Sequence, residues 1–201
     1  MKNLKDTFRD KIELKLMLWF TVIYLITFTI LAIINKNFEF LYYTFIISIL
    51  VFIIAIYHKK FHLTKHTLFG LTLLGAVHIF GGNIHINNMR LYDMWLIPNI
   101  LKYDNLVHLL GTFVVTFIIY SLIAPALNNR IKKNNFELSL MLILIATGFW
   151  SFIEIIELGA VLFLNASQQV GDYLNNALDL VFNLIGSIAA CLFIKYNKRK
   201  K

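Results

Sequence analysis

Cysteine occurs once, proline twice and acidic residues only eleven times among the 201 residues of this chain. The lone Cys191 falls within an apolar run, which excludes a disulfide framework and reads as packing. Charged residues make up 15% of the chain, where a soluble domain carries about 25%. There is no phosphate-cradling glycine loop, no serine-centred triad and no paired-cysteine metal motif, which excludes nucleotide-driven chemistry. The first apolar run also lacks a small-residue cleavage site: Leu31 and Ala32 are followed by Ile33, Ile34 and Asn35. It reads as an uncleaved first span preceded by a short amphipathic helix over 4–14.

What the chain has in excess is apolar length. Hydrophobic residues reach 59% and the mean hydropathy is +0.70. The apolar runs last about twenty residues, the length of a helix that crosses a bilayer. They predict an all-α polytopic membrane protein, a single membrane domain over 1–201 with six spans near 16–34, 38–57, 67–80, 106–127, 137–164 and 174–194. The third run is short and ends at Gly81 and Gly82. Residues 81–105 are too polar to span, yet Tyr92, Trp95 and Tyr103 suit the interface, so this segment lies on the membrane or dips into it.

Basic residues set the orientation, because Lys and Arg near helix ends resist translocation. With six spans, only Lys36, Arg90 and Lys102 of the 19 basic residues fall on one side. The others gather before the first span, at Lys59, Lys60 and Lys65, at Arg130, Lys132 and Lys133, and from Lys195 to the end. Both termini are therefore expected in the cytoplasm, in the inner membrane of a bacterium. The net charge of +8 follows from this topology and from contact with anionic membrane lipid, with no nucleic-acid partner needed.

The remaining polar residues converge on the opposite side. Given alternating spans, His78, Asp104, His108, Glu154, Glu157, Asp179 and Asn183 all lie toward the outer leaflet, with His85, Asp93 and Asp172 in the outer loops. Asp104 and His108 are four apart, as are Asp179 and Asn183, and Glu154 and Glu157 are three apart, so each pair shares a helical face. Gly111, Gly148, Gly159 and Gly186 would let the helices carrying them approach closely. Two unpaired carboxylates at bilayer depth cost on the order of 5–7 kcal/mol on an insertion scale. A metal ion, a bound proton, ion pairs or a water-filled cleft must offset that. Carboxylates with imidazoles suit zinc, manganese or iron, with His78, His108, Glu154, Glu157 and Asp179 as the ligand set; without a metal the same groups do acid–base work.

Plainer readings cover the rest. His58, His62 and His66 alternate with lysines at the cytoplasmic rim and snorkel. Trp19, Phe40, Tyr42, Tyr43 and Trp150 face lipid or pack, and Asp172 would cap the sixth helix.

At Tyr103, Asp104, His108 and Gly111, then Glu154 and Glu157, then Gln169, Val170, Gly171, Asp172, Asp179, Asn183 and Gly186, the chain resembles the YjdF-like bacterial inner-membrane proteins, and more distantly the VanZ-like family. These pieces cover roughly residues 75–190, in matching order. Asn105 stands where the YjdF-like pattern has a basic residue. The resemblance implies a multipass membrane protein, and the VanZ-like link to glycopeptide-antibiotic resistance implies the cell envelope.

The expected function is an outer-facing site that binds or modifies a lipid-linked or other amphiphilic envelope molecule. Glu154, Glu157, Asp179 and His108 act as ligands or proton carriers, with Asp104 orienting His108; Asp172, Asn183 and Gln169 contact substrate. A proton-coupled transporter and a non-catalytic assembly partner are the alternatives. The first needs a polar route across the inner halves of the helices, where only Thr21, Thr27, Ser48 and Ser139 stand out.

Overall fold

The computed structural model describes residues 4–166 and 173–199. Helix α1 runs over Leu4–Ile34, α2 over Phe38–Tyr57 and α3 over Lys65–Asn83. The amphipathic segment and the first span form one continuous helix, because nothing between Leu14 and Leu16 breaks it. A left-handed Lys36 (φ 54°) makes the turn into α2, whose first free N–H groups are capped by Asn37: its side-chain oxygen accepts from the Phe40 amide at 3.3 Å. Thr64 caps α3 in the same way, accepting from the Thr67 amide at 3.2 Å. Gly81 and Gly82 do not end α3 but lie buried inside it. A side chain at Gly82 would drive into the Phe40 ring.

Residues 85–102 hold two small antiparallel ladders that apolar patterning does not reveal. Strand β1 (His85–Ile86) pairs with β2 (Met89–Arg90), and β3 (Trp95–Ile97) with β4 (Leu101–Lys102). Asn87 and Asn88, both at positive φ, form the two-residue turn of the first hairpin, a conformation asparagine tolerates. Asn99 supplies the same conformation in the second.

Helix α4 covers Tyr103–Ile123, α5 Asn129–Lys133, α6 Asn135–Leu164 and α7 Tyr173–Arg199. Helix α4 begins three residues earlier than its apolar run, since the Asn105 side chain accepts from the Lys102 amide at 3.0 Å and closes the first turn. It ends earlier too: Ala124 precedes Pro125, which disfavours further helix. Among the described residues five helices, α1, α2, α4, α6 and α7, are long and apolar enough to cross a membrane. Helix α3, with 19 residues, reaches about 28 Å at about 1.5 Å per residue but is less apolar.

Contacts divide the chain into two compact units, Met1–Leu91 and Tyr92–Lys201. In the first, α1, α2 and α3 pack pairwise around Tyr24, Leu25, Ala76 and Ile79, with Phe28 and Phe80 alongside. His78 stacks against Phe40 and Tyr43, each ring centre 5.6 Å away. Arg90 pairs with the largely buried Glu39 at 3.1 Å, tying the first hairpin to the start of α2.

In the second unit α4 packs against both α7 and α6. Helices α4 and α7 run parallel: Asp104 meets Asn175, Thr112 meets Asn183, and Phe117 meets Phe193. Helix α6 runs against them, since Trp150 meets His108 while Ser139 meets Cys191. Its outward face, including Leu144, Phe152, Leu162 and Phe163, is exposed, as suits a helix bathed in lipid. Apolar side chains gain little from moving out of lipid, so close backbone contact and polar pairing must hold these helices together. A Cβ at Gly186 would collide with the Leu109 carbonyl, and one at Gly111 with the Trp150 ring. Gly148 does not serve this role: it is exposed, with nothing near its missing side chain.

Candidate functional site

Two polar stripes face each other across the α4–α7 contact. Helix α4 contributes Asp104, His108, Thr112 and Thr116, and α7 contributes Asn175, Asp179, Asn183 and Ser187, each stripe advancing by four residues. All are buried except Asp104, which is half-buried. Repetition every four residues keeps a stripe on one helical face, and the parallel register brings like depths together.

The end of this ladder where α4 and α7 begin is densely bonded. Asn175 Nδ2 donates to Asp104 Oδ2 at 3.1 Å and to Asp179 Oδ2 at 3.0 Å, while its Oδ1 accepts from Lys102 Nζ at 3.0 Å. Asn105 Nδ2 donates to Asp179 Oδ1 at 2.9 Å. One amide thus bridges two carboxylates, and a second amide holds the deeper one. Lys102 also lies over the Trp95 ring at 5.3 Å.

His108, 3% exposed, sits between these acids and α6. Its Nε2 faces Asp104 Oδ1 at 3.5 Å and Asp179 Oδ1 at 3.9 Å, and its Nδ1 accepts from the Trp150 indole N–H at 2.8 Å. One turn deeper, Thr112 Oγ1 lies 2.6 Å from Asn183 Oδ1 and 2.9 Å from the His108 carbonyl. Four buried side-chain atoms have no hydrogen-bond partner among the described residues, and two of them, Asn183 Nδ2 and Glu154 Oε1, lie at this cluster; the others are Asn83 Oδ1 and Asn176 Oδ1. Glu154 lies on α6 within electrostatic reach of His108, Asp179 and Asp104.

The expected residues therefore divide. Asp104, His108, Asp179 and Asn183 come together, with Glu154 beside them. Asp104 is a full member of the cluster as well as a partner of His108: among the described residues, the group whose geometry suits a metal is Asp104, His108 and Asp179, with donor atoms within 4.8 Å of one another. His78 and His85 belong to the first unit, and Asp93 to a single 3-10 turn, Leu91–Asp93. Glu157 is half-buried on α6, three residues beyond Glu154. Gln169 and Asp172 lie outside the described residues. Sequence reasoning missed Asn105, Asn175, Thr112 and Trp150. Extending the spacing of four from His108 to Thr112, from Asp179 back to Asn175 and from Glu154 back to Trp150 would have found three of them.

Fold and site together define a polytopic helical membrane protein with a buried histidine–carboxylate centre in its second unit. The family described as Predicted membrane protein (DUF2238) matches residues 16–200, and the chain belongs to that family. Neither a curated protein nor a solved structure matches the chain.

Proposed function

We propose that the second unit is a binding or acid–base centre for the polar head of a lipid-linked or other amphiphilic envelope molecule. Asp104, His108, Asp179 and Glu154 carry the chemistry, and the centre faces outward from the inner membrane of a bacterium, with both chain termini in the cytoplasm. The observation that carries this reading is the buried Glu154 Oε1 without a hydrogen-bond partner among the described residues, beside two bridged carboxylates and an imidazole. A polar atom left unpaired at bilayer depth costs several kcal/mol, so a site that keeps one is built to receive a partner. The charge pattern of the unit supports the orientation: Asp104, Glu154 and Asp179 lie toward the end where α4 and α7 begin, while Glu137 opens α6 at the other end, where Lys198 Nζ donates to the Lys132 carbonyl at 3.0 Å. The likeness to YjdF-like and VanZ-like proteins supports an envelope role.

A divalent-metal centre is a second reading, favoured by the 4.8 Å grouping of Asp104, His108 and Asp179. The test of the leading reading is mass spectrometry of lipids and polyprenyl-linked species retained by protein extracted in polymer nanodiscs. Wild type is expected to retain an envelope amphiphile that Asp179→Asn and Glu154→Gln release while keeping wild-type circular dichroism. An identical lipid complement in all three proteins overturns the proposal.

A further inference from the structure

The bond between Trp150 and His108 decides what His108 offers to the cluster. An indole nitrogen donates and cannot accept, so the Nδ1 that it meets at 2.8 Å must present its lone pair. The ring hydrogen of the neutral imidazole then resides on Nε2, the atom that faces Asp104 at 3.5 Å and Asp179 at 3.9 Å. A metal at Nε2 needs a lone pair there. Histidines that hold metals show the reverse arrangement, with the far nitrogen donating its hydrogen to a carboxylate or carbonyl. Here that far nitrogen meets a second donor instead, so spacing suits a metal while the surroundings of His108 do not.

We propose that Trp150 is a positioning residue that locks His108 in its Nε2–H form, making the Asp104–His108–Asp179 group a hydrogen-bonding centre and closing it to divalent metals. The lock is built into the packing. Trp150 is 6% exposed, and its ring occupies the space that a side chain at Gly111 would fill. The indole meets the imidazole edge-on, with ring centres 5.8 Å apart and planes at 69°. This orientation points the indole N–H at Nδ1 and leaves it little room to swing away.

The inference rests on reading the same cluster as the functional centre, but its test needs no substrate. Protein labelled with 15N-histidine in nanodiscs reports which ring nitrogen carries hydrogen, and subtraction of the His108→Gln spectrum isolates His108 from the other five histidines of the six present. Wild type is expected to show hydrogen on Nε2 and none on Nδ1. Zinc titration of wild type is expected to show no binding that His108→Gln removes. Trp150→Phe, which keeps a ring but deletes the donor, is expected to free Nδ1 to take up a hydrogen, alone or alongside that on Nε2, and to gain zinc affinity at least tenfold. A wild-type spectrum with hydrogen on Nδ1, or stoichiometric zinc lost in His108→Gln, overturns the proposal on the wild-type protein alone. A Trp150→Phe protein that keeps the wild-type spectrum overturns the role of Trp150. Unchanged lipid retention in Asp179→Asn would refute the proposed function and leave the tautomer result standing.

Discussion

Gly186 lies against the backbone of α4, and replacing it with alanine isolates what that approach is worth. The new methyl group would meet the Leu109 carbonyl, which is main chain and fixed by its helix. Helix α7 must then move away by about an ångström, and overpacking of this kind costs about 1–3 kcal/mol. Alanine also favours a helix over glycine by about 0.5–1 kcal/mol, which masks part of the loss. Gly148→Ala supplies the correction, since it gains the same propensity on an exposed face where nothing lies within 4 Å. The two variants should therefore differ by about 1–3 kcal/mol, or about 5- to 150-fold in the ratio of folded to unfolded protein. Unfolding by SDS in mixed micelles, followed by circular dichroism, measures that difference. Gly148→Ala should match or exceed wild type and Gly186→Ala should unfold at a lower SDS fraction. Coincident unfolding curves for the two variants would show that α4 and α7 do not meet at this point.

Two further expectations concern the ladder. Asn175→Ala removes the amide that bridges Asp104 and Asp179 and accepts from Lys102; hydrogen bonds to charged groups contribute about 1.5–3 kcal/mol each, so it should destabilise far more than Asn176→Ala, whose side-chain oxygen has no partner among the described residues. Thr112→Val keeps the shape but strips Asn183 Oδ1 of its donor, costing about 1–3 kcal/mol. Thr116→Val removes only a bond to its own helix at the Thr112 carbonyl, leaves no group of another helix without its donor and should cost less than Thr112→Val; equal effects in the same SDS assay would refute the assigned pairing.

The span positions were legible because an apolar run near twenty residues has few other uses. Helix α2 keeps its expected limits of 38 and 57, where Asn37 and His58 flank an unbroken run. Limits set by side-chain capping were not legible: the start of α4 depends on Asn105 reaching back to Lys102. The two hairpins escaped for another reason, since strands of two or three residues show no alternation. Within the site, spacing along one helix exposed Asp104 with His108 and Asp179 with Asn183. Trp150 read as packing because its hydrogen-bond partner lies 42 residues away, and only the packing of α6 on α4 reveals it. Lys102 and Arg90, two of the three basic residues expected on the outer side, are each engaged, with Asn175 and Glu39 respectively.

The depth profile of the ladder bears on binder against carrier. From the end where α4 and α7 begin, the pairs run from Asp104, Asn175, His108 and Asp179, through Thr112 and Asn183, to Thr116 and Ser187. The chemistry thus falls from carboxylate and imidazole to amide and then to hydroxyl. The last two hydroxyls turn back to carbonyls of their own helices, Thr116 to Thr112 at 2.7 Å and Ser187 to Leu184 at 2.8 Å, which is how Ser and Thr satisfy themselves inside apolar helices. One residue past Thr112 and Thr116, Phe113 and Phe117 are in ring contact with each other and with Phe193 of α7. A proton or solute path across the unit would need titratable or hydrated groups through this region, where the stripe instead offers hydroxyls bonded to their own helices. The titratable groups of the ladder thus gather where α4 and α7 begin, and this grading supports the proposed reading of binding or chemistry at one membrane surface over passage through the unit.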